Sequence, residues 1–261
     1  MQRALWTAAA GMAVQQTNLD VISNNLANVN TTGFKKSRAE FQDLLYQTLN
    51  APGTNSSSST MLPAGVQIGL GARTAAVKRM FQQGQFKSTE SPLDIVIEGD
   101  GFFKITRPDG TLAYTRDGAL STDESGNLVN NQGYLLDPPV VLPSDTKSIT
   151  IAKDGTVTVR LADDTTSEVG SIELAHFMNP AGLQSLGENL YAPSQASGDP
   201  ILGTPGSEGL GQLGQYFLET SNVQIVTELV DMITAQRAYE LNSRAVKASD
   251  EMLQQIAQLV R

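Results

Sequence analysis

The sequence predicts an α+β fold in which a helical coiled-coil domain, discontinuous and built from both chain ends, flanks a central, mostly-β domain. Three observations predict it. Large apolar residues recur every seven positions at each end, residues 221–261 contain neither glycine nor proline, and the middle alternates apolar and polar residues between Asp-Gly turns. The expected boundaries are 1–34 and 218–261 for the terminal helical domain, 35–74 for a connector with a low-complexity insertion, and 75–217 for the β-rich domain.

At the N-terminal end, Leu5, Met12, Leu19 and Leu26 form the seven-residue line, and Ile22 and Val29 add intervening partners of a heptad seam. No proline interrupts it, and Gly33 after Thr31-Thr32 is a good terminator. Asn24, Asn25, Asn28 and Asn30 are poor helix formers, so the last turns are expected to be marginal or to end early. The C-terminal line is Ile225, Met232, Tyr239, Val246, Leu253 and Val260, with Leu229 and Ile256 beside it. Ser221 and Gln224 have capping-box spacing. A helix of that length reaches roughly 55–60 Å, more than a small globular domain buries.

Between the large residues lie Ala8, Gln15 and Ser23 in the first helix, and Ala235, Asn242, Ser243 and Ser249 in the second. A stripe so narrow offsets little of the roughly 1–2 kcal/mol per residue that ordering costs. Both ends are therefore expected to be largely disordered in a lone chain and to fold when neighbours cover them. Periodicity by itself also fits an intramolecular helix hairpin. On the intersubunit reading, Leu5, Met12, Leu19, Leu26, Met232, Tyr239, Val246 and Leu253 are the assembly seam.

In the middle, Ile149 and Ile151, the turn Asp154-Gly155, and then Val157, Val159 and Leu161 predict a hairpin. Leu93, Ile95 and Ile97 alternate with Asp94 and Glu98, and Asp109-Gly110, Asp117-Gly118 and Ser125-Gly126-Asn127 punctuate further short strands. Residues 50–59, ending in a serine run, and the glycine-rich residues 198–214 read as connectors.

The 261 residues include no cysteine, which excludes disulfides and thiolate metal sites. Eighteen Lys+Arg against 27 Asp+Glu give a net charge of −9, the wrong sign for nucleic-acid binding. Residues 1–34 carry only Arg3 and Asp20, so the acidity sits in the middle and the near-neutral ends can approach copies of themselves. No stretch is long and apolar enough to span a bilayer as a helix. The start of the chain only faintly imitates a signal peptide and is read as mature protein.

Several motifs invite catalytic readings that their context opposes. Gly209-Leu210-Gly211-Gln212-Leu213-Gly214 matches a dinucleotide fingerprint, but a Pro/Gly-rich stretch precedes it and no helix opens at its last glycine. It is expected to be a flexible return loop. His176, the single histidine, falls with Ile172 and Leu174 on one face of an expected strand, without a nucleophile-elbow context. Asp123-Glu124-Ser125-Gly126-Asn127 lacks the far ligand of a calcium loop and reads as a turn, as does Asp163-Asp164. Lys35, Lys36 and Arg38 form a short basic cluster expected at a rim between subunits. No catalytic residue, cofactor or metal is expected.

Residue-level motifs narrow the reading. Ser23-Asn24-Asn25-Leu26-Ala27-Asn28-Val29-Asn30-Thr31-Thr32-Gly33-Phe34-Lys35 resembles the N-terminal signature of flagellar axial proteins, the rod and hook family of bacteria. Glu219-Thr220-Ser221-Asn222-Val223, Glu228-Leu229-Val230 and Gln236-Arg237-Ala238-Tyr239-Glu240 resemble that family's other end. Gly99-Asp100-Gly101-Phe102-Phe103 and Tyr114-Thr115-Arg116-Asp117-Gly118 look like its β-domain motifs. Asn24, Asn25, Leu26, Ala27, Asn28, Gly33 and Phe34 carry the N-terminal match.

Within the family the chain is most similar to distal-rod members: it has no room for the extra outer β domain of hook subunits, and residues 44–65 resemble an insertion typical of the distal rod, with a serine run at its centre. The resemblance implies a self-assembling helical homo-oligomer, with terminal helices around an export channel and an insertion that locks neighbours into a stiff, torque-carrying shaft. Implied partners are proximal rod proteins, the hook protein or hook–rod junction, the P-ring and L-ring bushings, the flagellar export apparatus and the rod cap, with no nucleic acid and no small-molecule substrate. The implied place is the basal-body rod in the periplasm, reaching the outer membrane, after export without a cleaved leader. A proximal-rod or hook-like axial subunit, and a secreted oligomeric adhesin, are the alternatives.

Overall fold

The computed structural model describes residues 2–51, 55–57, 60–61, 64–207 and 209–259. Helix α1 spans Gln2–Ala27 and α2 spans Ile225–Leu259, with twenty-two strands among the described residues in between. The fold is α+β, as the sequence predicts. Two compact units result: one holds the residues up to Ala27, Ser37–Lys78 and those from Gln224 onward, the other Asn28–Lys36 and Arg79–Val223.

In the first unit, α1 stops at Ala27, inside the asparagine-rich stretch, where side chains that bond their own backbone compete with the helix. Helix α2 begins three residues later than the Ser221/Gln224 spacing predicts: Ser221 Oγ accepts the Val223 N–H instead, and the Gln224 carbonyl accepts the first helical N–H, from Glu228. The two helices run antiparallel, since Asn25 hydrogen-bonds Glu228 while Gly11 lies against Asn242.

Among the described residues, the stretch expected to be a connector, 35–74, carries several strands. Ser37–Asp43 pairs with Ala72–Arg79 and Tyr46–Asn50 pairs with Val66–Gly69, each as a two-stranded ribbon. Gly71, at φ +117°, lets this ribbon reach α1, where its Cβ position is 3.1 Å from Ala10 Cβ. Of the serine-run insertion, residues 52–54, 58–59 and 62–63 lie outside the described residues.

The second unit is β-rich. Its nine-stranded sheet is centred on Phe102–Thr106, which pairs antiparallel with Leu112–Thr115, Leu135–Leu136 and Leu174–His176. The predicted hairpin is present as Thr146–Ile151 and Thr156–Leu161, with Ile149 opposite Val159 and Ile151 opposite Val157, and a third strand, Thr166–Ser171, continues it. Ile95, Ile97, Phe103, Ile105, Leu128, Val157, Val159, Ile172 and Leu174 form one buried core. Phe102, Tyr114, Phe177 and Tyr191 form a second, with rings edge to face at 4.9–6.0 Å. The glycine-rich motif is not the flexible loop expected: Gln212–Gln215 pairs with Ile95–Glu98, and Leu210 and Leu213 enter the core. Its glycines serve close approach, since a Cβ at Gly211 would stand 2.6 Å from the Glu98 carbonyl oxygen.

Candidate assembly interface

Two seven-residue lines run along α2, and they have different fates. Glu228, Ala235 and Ser249 are buried, and Asn242, on the same line, faces Gly11. Met232, Val246 and Leu253, on the adjacent line, are only half-buried, and Tyr239 is 37% exposed. In α1 the buried positions are Ala8, Val14, Ile22 and Asn25, while the predicted seam residues Leu5, Met12, Leu19 and Leu26 are again half-buried. Small and polar residues make the closest contact within the chain because they let the two backbones approach. The large apolar residues flank that contact. Both terminal helices are formed and packed on each other within the single chain, where the sequence predicts disordered ends.

A polar pin fixes the register. Asn25 Nδ2 donates to Glu228 Oε2 at 3.1 Å and to the Ser37 carbonyl at 2.9 Å, while Asn25 Oδ1 accepts the Ser37 N–H at 2.9 Å. A buried amide satisfied this way holds one helical register, because any slip leaves it unpaired. Apolar surface remains uncovered beyond the seam. Trp6 is 77% exposed, Val226 76% and Leu241 64%, and Val230, Ile233 and Ile256 are exposed as well. Patches of this kind on helices mark association sites.

The N-terminal motif residues separate at the end of α1. Asn24 and Ala27 are exposed, Leu26 is half-buried, and Asn28 accepts the Thr31 N–H. Gly33 adopts φ +68°, and its Cβ position lies 2.8 Å from the Asp117 nitrogen, so a side chain is excluded twice over. Phe34 is buried under the Arg79 guanidinium, 5.6 Å from its ring centroid.

Of the basic cluster, Lys35 is not on a rim, whereas Lys36 is half-buried and Arg38 exposed. Lys35 is 1% exposed, and its Nζ donates to Glu219 Oε1 at 2.5 Å and to the Gln82 carbonyl at 2.8 Å. Burial holds its pKa below the ordinary lysine value, against the pull of Glu219. Arg116 reaches the same carboxylate, with Nε and Nη2 each 3.0 Å from Glu219 Oε2. The N-terminal, Gly99–Gly101, Tyr114–Gly118 and Glu219–Asn222 motifs thus converge on one buried ionic site. Arg38 stays exposed and pairs with Glu40. Local patterning missed Lys35 because its partner is 184 residues away.

His176 sits on the predicted strand and lines a cleft of about 240 Å³ with Phe81, Asp100, Phe102 and Arg116. Arg116 spends its donors on Glu219 and on the Gly99 and Gly101 carbonyls. The Asp123 loop closes on itself, its carboxylate accepting from the Ser125 N–H and from the backbone and side chain of Asn127.

Three family models match the chain: "Flagella basal body rod protein" over residues 5–35, "Flagellar hook protein FlgE/F/G D1 domain" over 96–159, and "Flagellar basal body rod FlgEFG protein C-terminal" over 215–259. The chain is 53% identical over 258 residues to the flagellar basal-body rod protein FlgG of Borreliella burgdorferi, covering 97% of each chain. The chain belongs to the flagellar basal-body rod protein family. This rod protein is also 48% identical to FlgG of Caulobacter vibrioides over 98% of its own length and 99% of the relative's, and 40% identical to FlgG of Bacillus subtilis over 100% of both. It is a structural component of the flagellar basal body, and these relatives agree with the distal-rod resemblance of its motifs.

Proposed function

We propose that this rod protein polymerises through its terminal helices into the distal rod, a stiff tube that encloses the export channel and carries torque from motor to hook. The observation that supports the reading most is the division of labour along the helices. Glu228, Ala235 and Ser249 are buried, whereas Leu5, Met12, Leu19, Leu26, Met232, Tyr239, Val246 and Leu253 keep solvent-facing area for a neighbouring copy. In this reading the partners are further copies, proximal rod proteins, the hook or hook–rod junction, the P-ring and L-ring, the export apparatus and the rod cap. Its place is the periplasmic part of the basal body.

The test is Leu253→Asp examined by electron microscopy of concentrated protein beside the wild type. The wild-type protein is expected to form open tubes, and the variant to stay monomeric with its β-rich unit folded. Closed small oligomers of the wild type, or tubes from the variant, contradict the proposal.

A further inference from the structure

The buried ionic site holds two cations and one carboxylate. Glu219 accepts from Lys35, from Arg116 and from the Gly84 N–H at 2.7 Å, and among the described residues no other carboxylate pairs with either cation. Lys35 and Arg116 hand their remaining donors to the carbonyls of Gln82, Gly99 and Gly101. Glu219 also sits on a strap. Its carbonyl accepts the Gly33 N–H at 2.8 Å, the Thr220 N–H donates to the Gln85 carbonyl, and Asn222 Oδ1 accepts the Lys36 N–H at 2.7 Å. Asn222 Nδ2 donates to the carbonyls of Met80 and Gln82. Residues 219–222 therefore fasten 33–36 and 80–85 together.

Lifting the strap removes the carboxylate that both buried cations pair with, and leaves only the more distant pull of Asp100 on Lys35. Leaving a buried ion without its partner is among the costliest local changes, whereas replacing a whole buried ionic cluster by apolar residues is often neutral. We propose that Glu219 is a positioning residue that makes the strap and the β-rich unit open only as one body, so that the unit is never folded with the strap undocked. In the rod this would keep the segment leading into α2 from fraying under load. That consequence rests on the proposed function, but the opening behaviour does not, and it is measured on monomers.

Hydrogen exchange on the full-length monomer tests it. In the wild type, the strap-site amides of Gly33, Gly84 and Thr220 are expected to exchange no faster than core amides such as Leu128 and Ile172. Glu219→Gln is expected to lower the melting temperature of the unit by about 10 °C and to speed core exchange at least about 100-fold. Adding Lys35→Met to that variant recovers part of the loss, because one buried cation is gone. The triple variant Lys35→Met/Arg116→Leu/Glu219→Leu is expected to keep a folded core while its strap amides exchange at least about 100-fold ahead of the core. Strap amides that exchange well ahead of the core in the wild type overturn the proposal. So does a folded triple variant whose strap still opens with the core. If the triple variant does not fold, the wild-type comparison decides alone.

Discussion

The helix pair and the β-rich unit differ in how much large apolar side chain they bury. Ile105, Leu128, Val157 and Ile172 in the β-rich unit are fully buried in a closed interior, while apolar side chains such as Met178, Val141 and Leu202 stay exposed on its surface. The helix pair buries Val14 and Ile22 beside the small and polar Ala8, Asn25, Glu228, Ala235 and Ser249, and leaves Val226, Ile233 and Leu241 to solvent. The first is a finished core. The second is a scaffold with its register set and its apolar area unspent, which is what a subunit needs if assembly is to come from copies of itself.

Substitutions can break this contrast. The largest effect is expected in the β-rich unit, where Leu128→Ala removes buried methyls from a closed core and should cost about 2–5 kcal/mol by denaturant melting. Next comes Asn25→Leu. It leaves Glu228 without its buried amide partner and should cost about 1–3 kcal/mol, seen as early melting of helical circular dichroism with the β-rich unit intact. Smaller still is Val246→Ala in the monomer, expected within about 1 kcal/mol because that side chain is half-exposed. A loss as large as that of Leu128→Ala would make the helix seam an ordinary core and erase the contrast.

The smallest effect concerns acid. Asp109, Asp123 and Asp163 have pKa values held below the ordinary carboxylate range chiefly by side-chain hydrogen bonds from Thr111, Asn127 and Thr165, and Asp154 by the Thr156 backbone N–H. A depressed folded-state pKa stabilises above the unfolded value, near pH 4, and that contribution is lost as pH falls through the folded value. Burial raises the Asp117 pKa, so Asp117 acts in the opposite sense and favours the folded state as it becomes protonated. Melting temperature should therefore fall below about pH 4, and Asp154→Asn should make the fall shallower. An unchanged slope would contradict the role given to that turn.

Much of the fold was legible because it is written locally. The heptads placed both helices, and the alternation around Asp154-Gly155 placed the hairpin with its side chains facing as observed. Residues 37–79 misled because their strands form two-stranded ribbons with exposed or half-exposed faces, so no inward-facing apolar alternation marks them. Local pattern also misjudged the return segment, where Gly211 is required by close backbone approach and not by mobility. In the helices the large residues drew attention, while the in-chain contact belongs to the small and polar line between them. Lys35 could not be told from a surface lysine, since burial and the Glu219 partner both arise from contacts far apart in sequence.

Trp6 offers the most direct measurement. It is the single tryptophan of the chain and is 77% exposed, so its fluorescence reports whether the uncovered face of α1 becomes covered. Raising the protein concentration until tubes form should shift its emission to shorter wavelength, and Leu253→Asp should show no shift at the same concentration. Tubes that form while Trp6 emission stays that of a solvated indole would contradict the claim that copies of this chain complete one another's helical faces.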